Sequence, residues 1–172
     1  MLLRRETAAG VRAVDEVHRS DFGRDVEAAL VHALRTDAGW VPALAVVAVD
    51  APGQDVGHVV GRLGRVGDAP VVGLGRLGVR PEEQGRGVGQ ALVHAVLGAA
   101  DALDLPLAVL LGDPGHFRRF GFGPAADPGV EPPDAAWGAH FQARPLGTYT
   151  GERGALADAA PVASLYVPQK VV

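Results

Sequence analysis

Leu77-Gly78-Val79-Arg80-Pro81-Glu82-Glu83-Gln84-Gly85-Arg86-Gly87-Val88-Gly89-Gln90-Ala91-Leu92 decides the reading of this chain. The stretch runs from the end of a strand through a short charged connector and a glycine-rich turn into the first turn of a helix. Val71 to Val79 mixes Val, Leu and Gly, and Pro81 ends that strand because it has no N–H to give to a ladder. From Val88 onward apolar residues fall at 88, 91, 92, 95, 96, 99, 102 and 103, with Gln90, His94 and Asp101 on the opposite side. That is helical spacing. Glycines stand at 85, 87 and 89, between strand and helix.

Glycines at the mouth of a helix permit positive φ and let a ligand approach the backbone with no Cβ in the way. The first N–H groups of the helix have no partner inside it, and the dipole is positive at that end. Such a mouth suits a phosphate or pyrophosphate, and Arg86 adds charge from within the turn. A glycine-rich turn without a ligand is the plainer alternative. The position between a strand and a strongly amphipathic helix favours the anion site. A Walker loop matches poorly, because Val88-Gly89-Gln90 stands where that loop needs Lys-Ser/Thr. Gly73-Leu74-Gly75-Arg76-Leu77-Gly78 spells G-x-G-x-x-G, yet Val79-Arg80-Pro81 follows in place of a helix, so the dinucleotide context is missing.

Gln84-Gly85-Arg86-Gly87-Val88-Gly89 resembles, at every position, the acyl-CoA-binding signature Q/R-x-x-G-x-G/A of the GCN5-related N-acetyltransferase (GNAT) superfamily. Leu77-x-Val79-x-Pro81 resembles its usual lead-in. A second block, Val109-Leu110-Leu111-Gly112-Asp113-Pro114 followed by Phe120-Gly121-Phe122, is similar to the family's next strand, short helix and Gly-Phe ending. The branch it most resembles is a small bacterial group of predicted N-acetyltransferases with a G-D-P-x-Y-Y-x-R-F-G-F block. The likeness is specific from about Leu77 to Phe122 and elsewhere rests on element order. It implies a mixed α/β (α+β) fold, with a central β-sheet, a parallel splayed pair of strands and flanking helices, in one domain over residues 1–172.

The remaining elements fit that order. Leu2 to Thr7 reads as a strand, and Thr7 as the cap of a helix to about Arg19 with Val11, Val14 and Val17 on one face. Ser20 to Arg24 reads as a turn. A second helix from about Asp25 to Arg35 turns Val26, Leu30, Val31 and Leu34 inward and leaves Glu27 and His32 to face elsewhere. Leu44 to Val49 and Val56 to Val66 are strands joined by the turn Ala51-Pro52-Gly53-Gln54 into a hairpin. Leu105 to Leu111 follows the glycine helix, which makes a right-handed βαβ unit with Val71 to Val79. Pro124 to Asp134 reads as a loop suited to substrate contacts, and Ala139 to Ala143 and Ala163 to Val167 as late strands.

The resemblance also implies a chemistry. Acetyl-CoA would be the co-substrate, with no metal, its pantetheine arm lying along Leu77, Gly78 and Val79 between parted strands. Gln84, Gly85, Arg86, Gly87, Val88 and Gly89 would hold the pyrophosphate, with Phe117 and Phe120 beside the cofactor. The backbone N–H of Val79 would receive the oxyanion as a donor amine attacks the thioester directly in a ternary complex. An amine of pKa near 10.4 gives up its proton at pH 7 at a cost of about 4–5 kcal/mol, whereas a thiol of pKa roughly 8.5 leaves as thiolate for about 2 kcal/mol. A general base is therefore the greater need.

Here the sequence departs from the family. The tyrosine that commonly serves as acid falls at Phe117, which has no proton to give, and Val71 to Val79 carries no carboxylate to act as base. His116 could replace the tyrosine, although adjacent helix residues point about 100° apart and a partly exposed helix-start histidine is the plainer reading. Glu27 would meet a cationic acceptor, or simply be solvated. His58, mid-strand, and Asp113, before Pro114, read as structural. The absent groups imply water-relayed proton transfer or a weakened enzyme.

The 172 residues suffice for one domain with its own core. A net charge of −4 and a pI of about 5.8 argue against a nucleic-acid partner. There is no cysteine, hence no disulfide and no thiolate chemistry. No apolar run approaches a membrane span, and a cytoplasmic location follows as the expectation. A late strand edge would suit a homodimer. The sequence thus predicts an acetyl-CoA-dependent N-acetyltransferase for a small-molecule or protein amine. An acyl-CoA-binding module with weak or no turnover, motivated by Phe117, and a nucleotide-binding or structural α/β domain are the alternatives.

Overall fold

The computed structural model describes residues 1–157. Two compact units share them: Met1–Gly61 with Gly75–Ala99, and Arg62–Leu74 with the residues from Ala100 onward. Neither is a continuous segment, because two long strands, β3 (Asp55–Val66) and β4 (Ala69–Val79), each run from one unit into the other.

In the first unit β1 (Leu2–Arg5) pairs antiparallel with β2 (Trp40–Val49), from Leu2↔Val49 to Arg5↔Val46, and β3 and β4 follow in order. Helix α1 spans Val11–Phe22. It starts later than Thr7 because a 3-10 turn, Ala8–Gly10, intervenes and the Thr7 side chain caps nothing. It also runs three residues past Arg19, stopping only where Gly23 turns left-handed at φ 67°. Val14, Val17, His18 and Asp21 are its buried residues. Helix α2, Val26–Leu34, buries Glu27, Leu30, Val31 and Leu34, one stripe at helical spacing, while Val26 is 51% exposed. The expected inward Val26 and outward Glu27 are therefore exchanged. Burial of Glu27 is compensated by Arg24, whose guanidinium donates to its Oε1 at 2.6 Å.

Helix α3, Val88–Ala102, carries the glycine turn at its mouth. Val88, Leu92 and Val96 are buried as expected, but the stripe leans toward Val93, Leu97 and Ala100, leaving Leu103 exposed. Gly57 lets this helix close on β3: a Cβ there would lie 2.9 Å from both Leu92 and Val88 side chains.

In the second unit β5 (Leu107–Leu111) lies parallel to β4, Val72↔Ala108 and Gly73↔Val109, which is the expected parallel pair. All five of its residues are buried. β5 continues through α4 (Pro114–Phe117) to β6 (Gly123–Pro124), then β7 (Val130–Glu131), β8 (Phe141–Pro145) and β9 (Gly154–Ala157). The order here is β4-β5-β8-β6, and β9 pairs with both β3 and β7. β8 begins at Phe141 rather than Ala139 because a 3-10 segment, Ala135–His140, precedes it, capped by Asp134 accepting from Ala136 N–H at 2.8 Å. Trp137 packs on Phe141 with ring centroids 5.6 Å apart, against a core of Val66, Val71, Leu107, Val109 and Leu111. The predicted strand Ala163–Val167 lies outside the described residues. Among the described residues no helix is long and apolar enough to cross a membrane, and no three His, Cys, Asp or Glu are grouped to hold a metal.

Candidate active site

The glycine turn is built by the backbone. Arg80 N–H donates to Val56 O at 2.9 Å, a 3-10 turn covers Pro81–Glu83, and Gly85 and Gly87 then take φ of 71° and 84°. An added Cβ at either would have no heavy atom within 4 Å, so these glycines serve conformation, and they leave open space in front of the turn. The helical ladder starts with Ala91 N–H donating to Gly87 O at 3.0 Å, so the preceding amides have no intrahelical acceptor. Open space, glycines and orphan amides together fit a pyrophosphate. Arg86 is exposed and pairs with Glu83 at 2.9 Å. Gly89 differs: it is helical, and a Cβ there would make ordinary contacts of 3.7 Å with Leu77 and Val79.

Successive strand N–H groups point to opposite edges. Arg80 N–H faces β3, so Val79 N–H faces the other edge, where it donates to Asp21 Oδ2 at 3.1 Å. Gln84 completes the arrangement, its Nε2 donating to Asp21 Oδ1 at 2.9 Å and to Val79 O at 3.1 Å. The amide expected to receive an oxyanion is thus held by a carboxylate that is 7% exposed. Asp21 is not among the candidates the sequence offers, because Ser20 to Arg24 reads as a turn. The signal was present in the spacing, since 14, 17, 18 and 21 are one helical face.

A buried chain runs behind it. A Cβ at Gly78 would lie 2.8 Å from His18 Nδ1. His18 Nε2 meets His58 Nδ1 at 2.9 Å, His58 Nε2 lies 3.3 Å from Glu6 Oε2, and Arg35 Nε donates to Glu6 Oε1 at 2.8 Å. Burial works to raise the Glu6 carboxyl, but His58 and Arg35 outweigh it and hold it below its ordinary value. With the His58 proton on Nε2, facing the Glu6 carboxylate, His18 would donate from its own Nε2 to His58 Nδ1. His18 Nδ1 is then a bare lone pair, buried without a hydrogen-bond partner. Burial, and after it His58, Arg35 and Arg76, push His18 well below the ordinary histidine range, and burial lowers His58 against the pull of Glu6. His58 is structural, as expected.

Glu27 belongs to the first unit and is fully buried against Arg24. His116, Phe117 and Phe120 belong to the second, where they form one aromatic cluster with Phe122. His116 is buried rather than partly exposed, its pKa lowered by that burial and then by Arg119. Phe117 packs so closely on Gly112 that a Cβ there would lie 2.5 Å from its ring. Asp113 caps α4 by accepting from Gly115 N–H at 3.1 Å, which is the structural role.

The sequence model of the Acetyltransferase (GNAT) family matches residues 11–121, a span that includes α1, the glycine turn and Phe117. The chain belongs to the GNAT acetyltransferase family. Uncharacterized N-acetyltransferase YhbS of Escherichia coli (strain K12) is 37% identical over 130 residues, 73% of this chain and 75% of that protein. A crystal structure of Escherichia coli YhbS in complex with CoA superposes with a TM-score of 0.82 at 31% identity, covering 90% and 87% of the two chains. A GNAT acetyltransferase of Brucella melitensis in complex with acetyl-CoA gives 0.74 at 28% identity, covering 92% and 96%. In this GNAT chain Gly85, Gly87 and the first amides of α3 leave backbone groups open, whereas Phe117 carries no titratable proton.

Proposed function

We propose that this chain is an acetyl-CoA-dependent N-acetyltransferase that acetylates a primary amine of a small molecule or protein by direct attack in a ternary complex. The observation that carries the reading is the open glycine turn: Gly85 and Gly87 at positive φ before the orphan amides of α3. The CoA and acetyl-CoA held by the Escherichia coli and Brucella melitensis structures support it. Amides from Gln84 to Gly89 would hold the pyrophosphate, Leu77, Gly78 and Val79 the pantetheine arm, and Val79 N–H the thioester oxygen. Phe117 and Phe120 would flank the arm, and both units would act as one domain. Glu27 is engaged by Arg24, and His116 lies among the rings of Phe117 and Phe120, so neither is given a proton to move.

Thermal shift with acetyl-CoA, CoA, ATP and NAD tests the ligand. Stabilisation grows as RT ln(1 + [L]/Kd), about 4 kcal/mol at a thousandfold excess over Kd. Acetyl-CoA and CoA should raise Tm and the other two should not; no response to either thioester or thiol overturns the proposal. A second reading, binding without turnover, is favoured by the missing hydroxyl at Phe117. Thiol release across an amine panel separates the two, with no background from a chain that has no cysteine.

A further inference from the structure

We propose that Asp21 is the general base of acetyl transfer, held on the amide that would receive the thioester oxygen. The inference rests on the acetyltransferase reading above. Asp21 Oδ2 stands 3.1 Å from Val79 N, the separation at which a backbone donor holds a developing oxyanion. A negative oxygen of the chain itself therefore occupies the place where charge would develop on the substrate carbonyl. β4 offers no carboxylate between Val71 and Val79. Helix α1 supplies one from the side, since Asp21 continues the buried face of Val14, Val17 and His18 and Gly23 ends the helix directly after.

Gln84 explains how the carboxylate remains useful once displaced. Its Nε2 holds Asp21 Oδ1 at 2.9 Å and Val79 O at 3.1 Å, so Asp21 can release the amide and stay tethered beside the reacting carbon. The rival groups are worse placed. Glu27 is fully buried against Arg24, and the His18 lone pair is enclosed over Gly78.

The acceptor ammonium gives one proton to the Asp21 carboxylate, and the freed nitrogen lone pair forms the C–N bond. The C–S bond breaks with its electron pair on sulfur, and the second nitrogen proton passes to that thiolate. The proton on Asp21 then leaves to solvent, which restores the base.

Asp21→Asn, Asp21→Ala and Asp21→Glu test this, with calorimetric titration of acetyl-CoA and of CoA, and thiol release with spermidine, glucosamine and an unblocked tripeptide. Free CoA has no thioester carbonyl to compete for Val79 N–H. Vacating the amide in Asp21→Ala should therefore tighten acetyl-CoA several-fold relative to CoA, whereas a merely structural latch would weaken both together. Asp21→Asn should lower kcat about 10²–10³-fold without raising KM for acetyl-CoA, and Asp21→Glu should recover part of that loss. Wild-type kcat in Asp21→Asn overturns the proposal. So does an unchanged acetyl-CoA to CoA affinity ratio in Asp21→Ala, which decides the matter even if no amine in the panel is turned over. Wild-type protein that binds neither acetyl-CoA nor CoA instead removes the acetyltransferase reading, and this proposal with it.

Discussion

At Gly78 the backbone of β4 passes directly beneath His18, and an added Cβ would lie 2.8 Å from Nδ1 and 3.1 Å from Cε1. The imidazole has little room to retreat, since His58 holds its other nitrogen at 2.9 Å and Phe22 stacks on it at 6.2 Å. Gly78→Ala should therefore cost about 1–3 kcal/mol in urea unfolding; a neutral effect would show that the ring can move aside. The same histidines set a pH dependence. His18, His58 and His116 have folded pKa values below 6.5, so below pH 6.5 the unfolded chain takes up protons that the fold refuses. Stability should fall as pH drops from 6.5, by about 1.4 kcal/mol per pH unit for each histidine that stays neutral. The depressed Glu6 adds a further loss below its ordinary 4.5. Unfolding midpoints in urea that do not change between pH 7 and 5 would contradict these assignments. None of this was legible in the sequence, where His18 went unremarked. A histidine's partners come from other elements, and nothing in its local spacing names them.

Element by element, legibility followed how narrowly the backbone limits residue choice. The glycine turn was readable because two of its positions demand positive φ, which other residues adopt at a cost. Gly85→Ala and Gly87→Ala should each destabilise by about 1–2 kcal/mol. Gly89→Ala should be neutral or stabilising by about 0.5–1 kcal/mol, being helical with only ordinary contacts. Thermal melts of the three variants check this pattern, and equal losses at all three would refute it. The βαβ unit was legible for a similar reason, since a buried parallel pair reads as apolar runs on either side of an amphipathic helix. The phase of α2 was not. Its apolar stripe contains Glu27, which reads as an outward residue until Arg24, outside the helix, is seen to pair with it. The end of α1 was missed similarly: Ser20 and Asp21 look like a turn, and the stop signal that mattered was Gly23.

On the scale of the whole molecule, the described residues form two compact units drawn from interleaved segments. A fragment ending at residue 99 would strip Val72 and Gly73 of their partners Ala108 and Val109, leaving buried Val71, Val72 and Leu74 uncovered. It should show no cooperative thermal transition by circular dichroism, and a sharp one would show that the remaining strands suffice. Composition had excluded much at this scale, yet it could not reveal an interleaving that depends on which strands continue across a boundary.

The two tryptophans happen to fall one in each unit: Trp40 opens β2, and Trp137 packs on Phe141. Replacing either with phenylalanine would leave an intrinsic fluorophore that reports on one half of the chain alone. Since β3 and β4 belong to both halves, the two emission curves recorded in denaturant should superimpose. The molecule thus carries its own pair of optical probes for asking whether its halves come apart together.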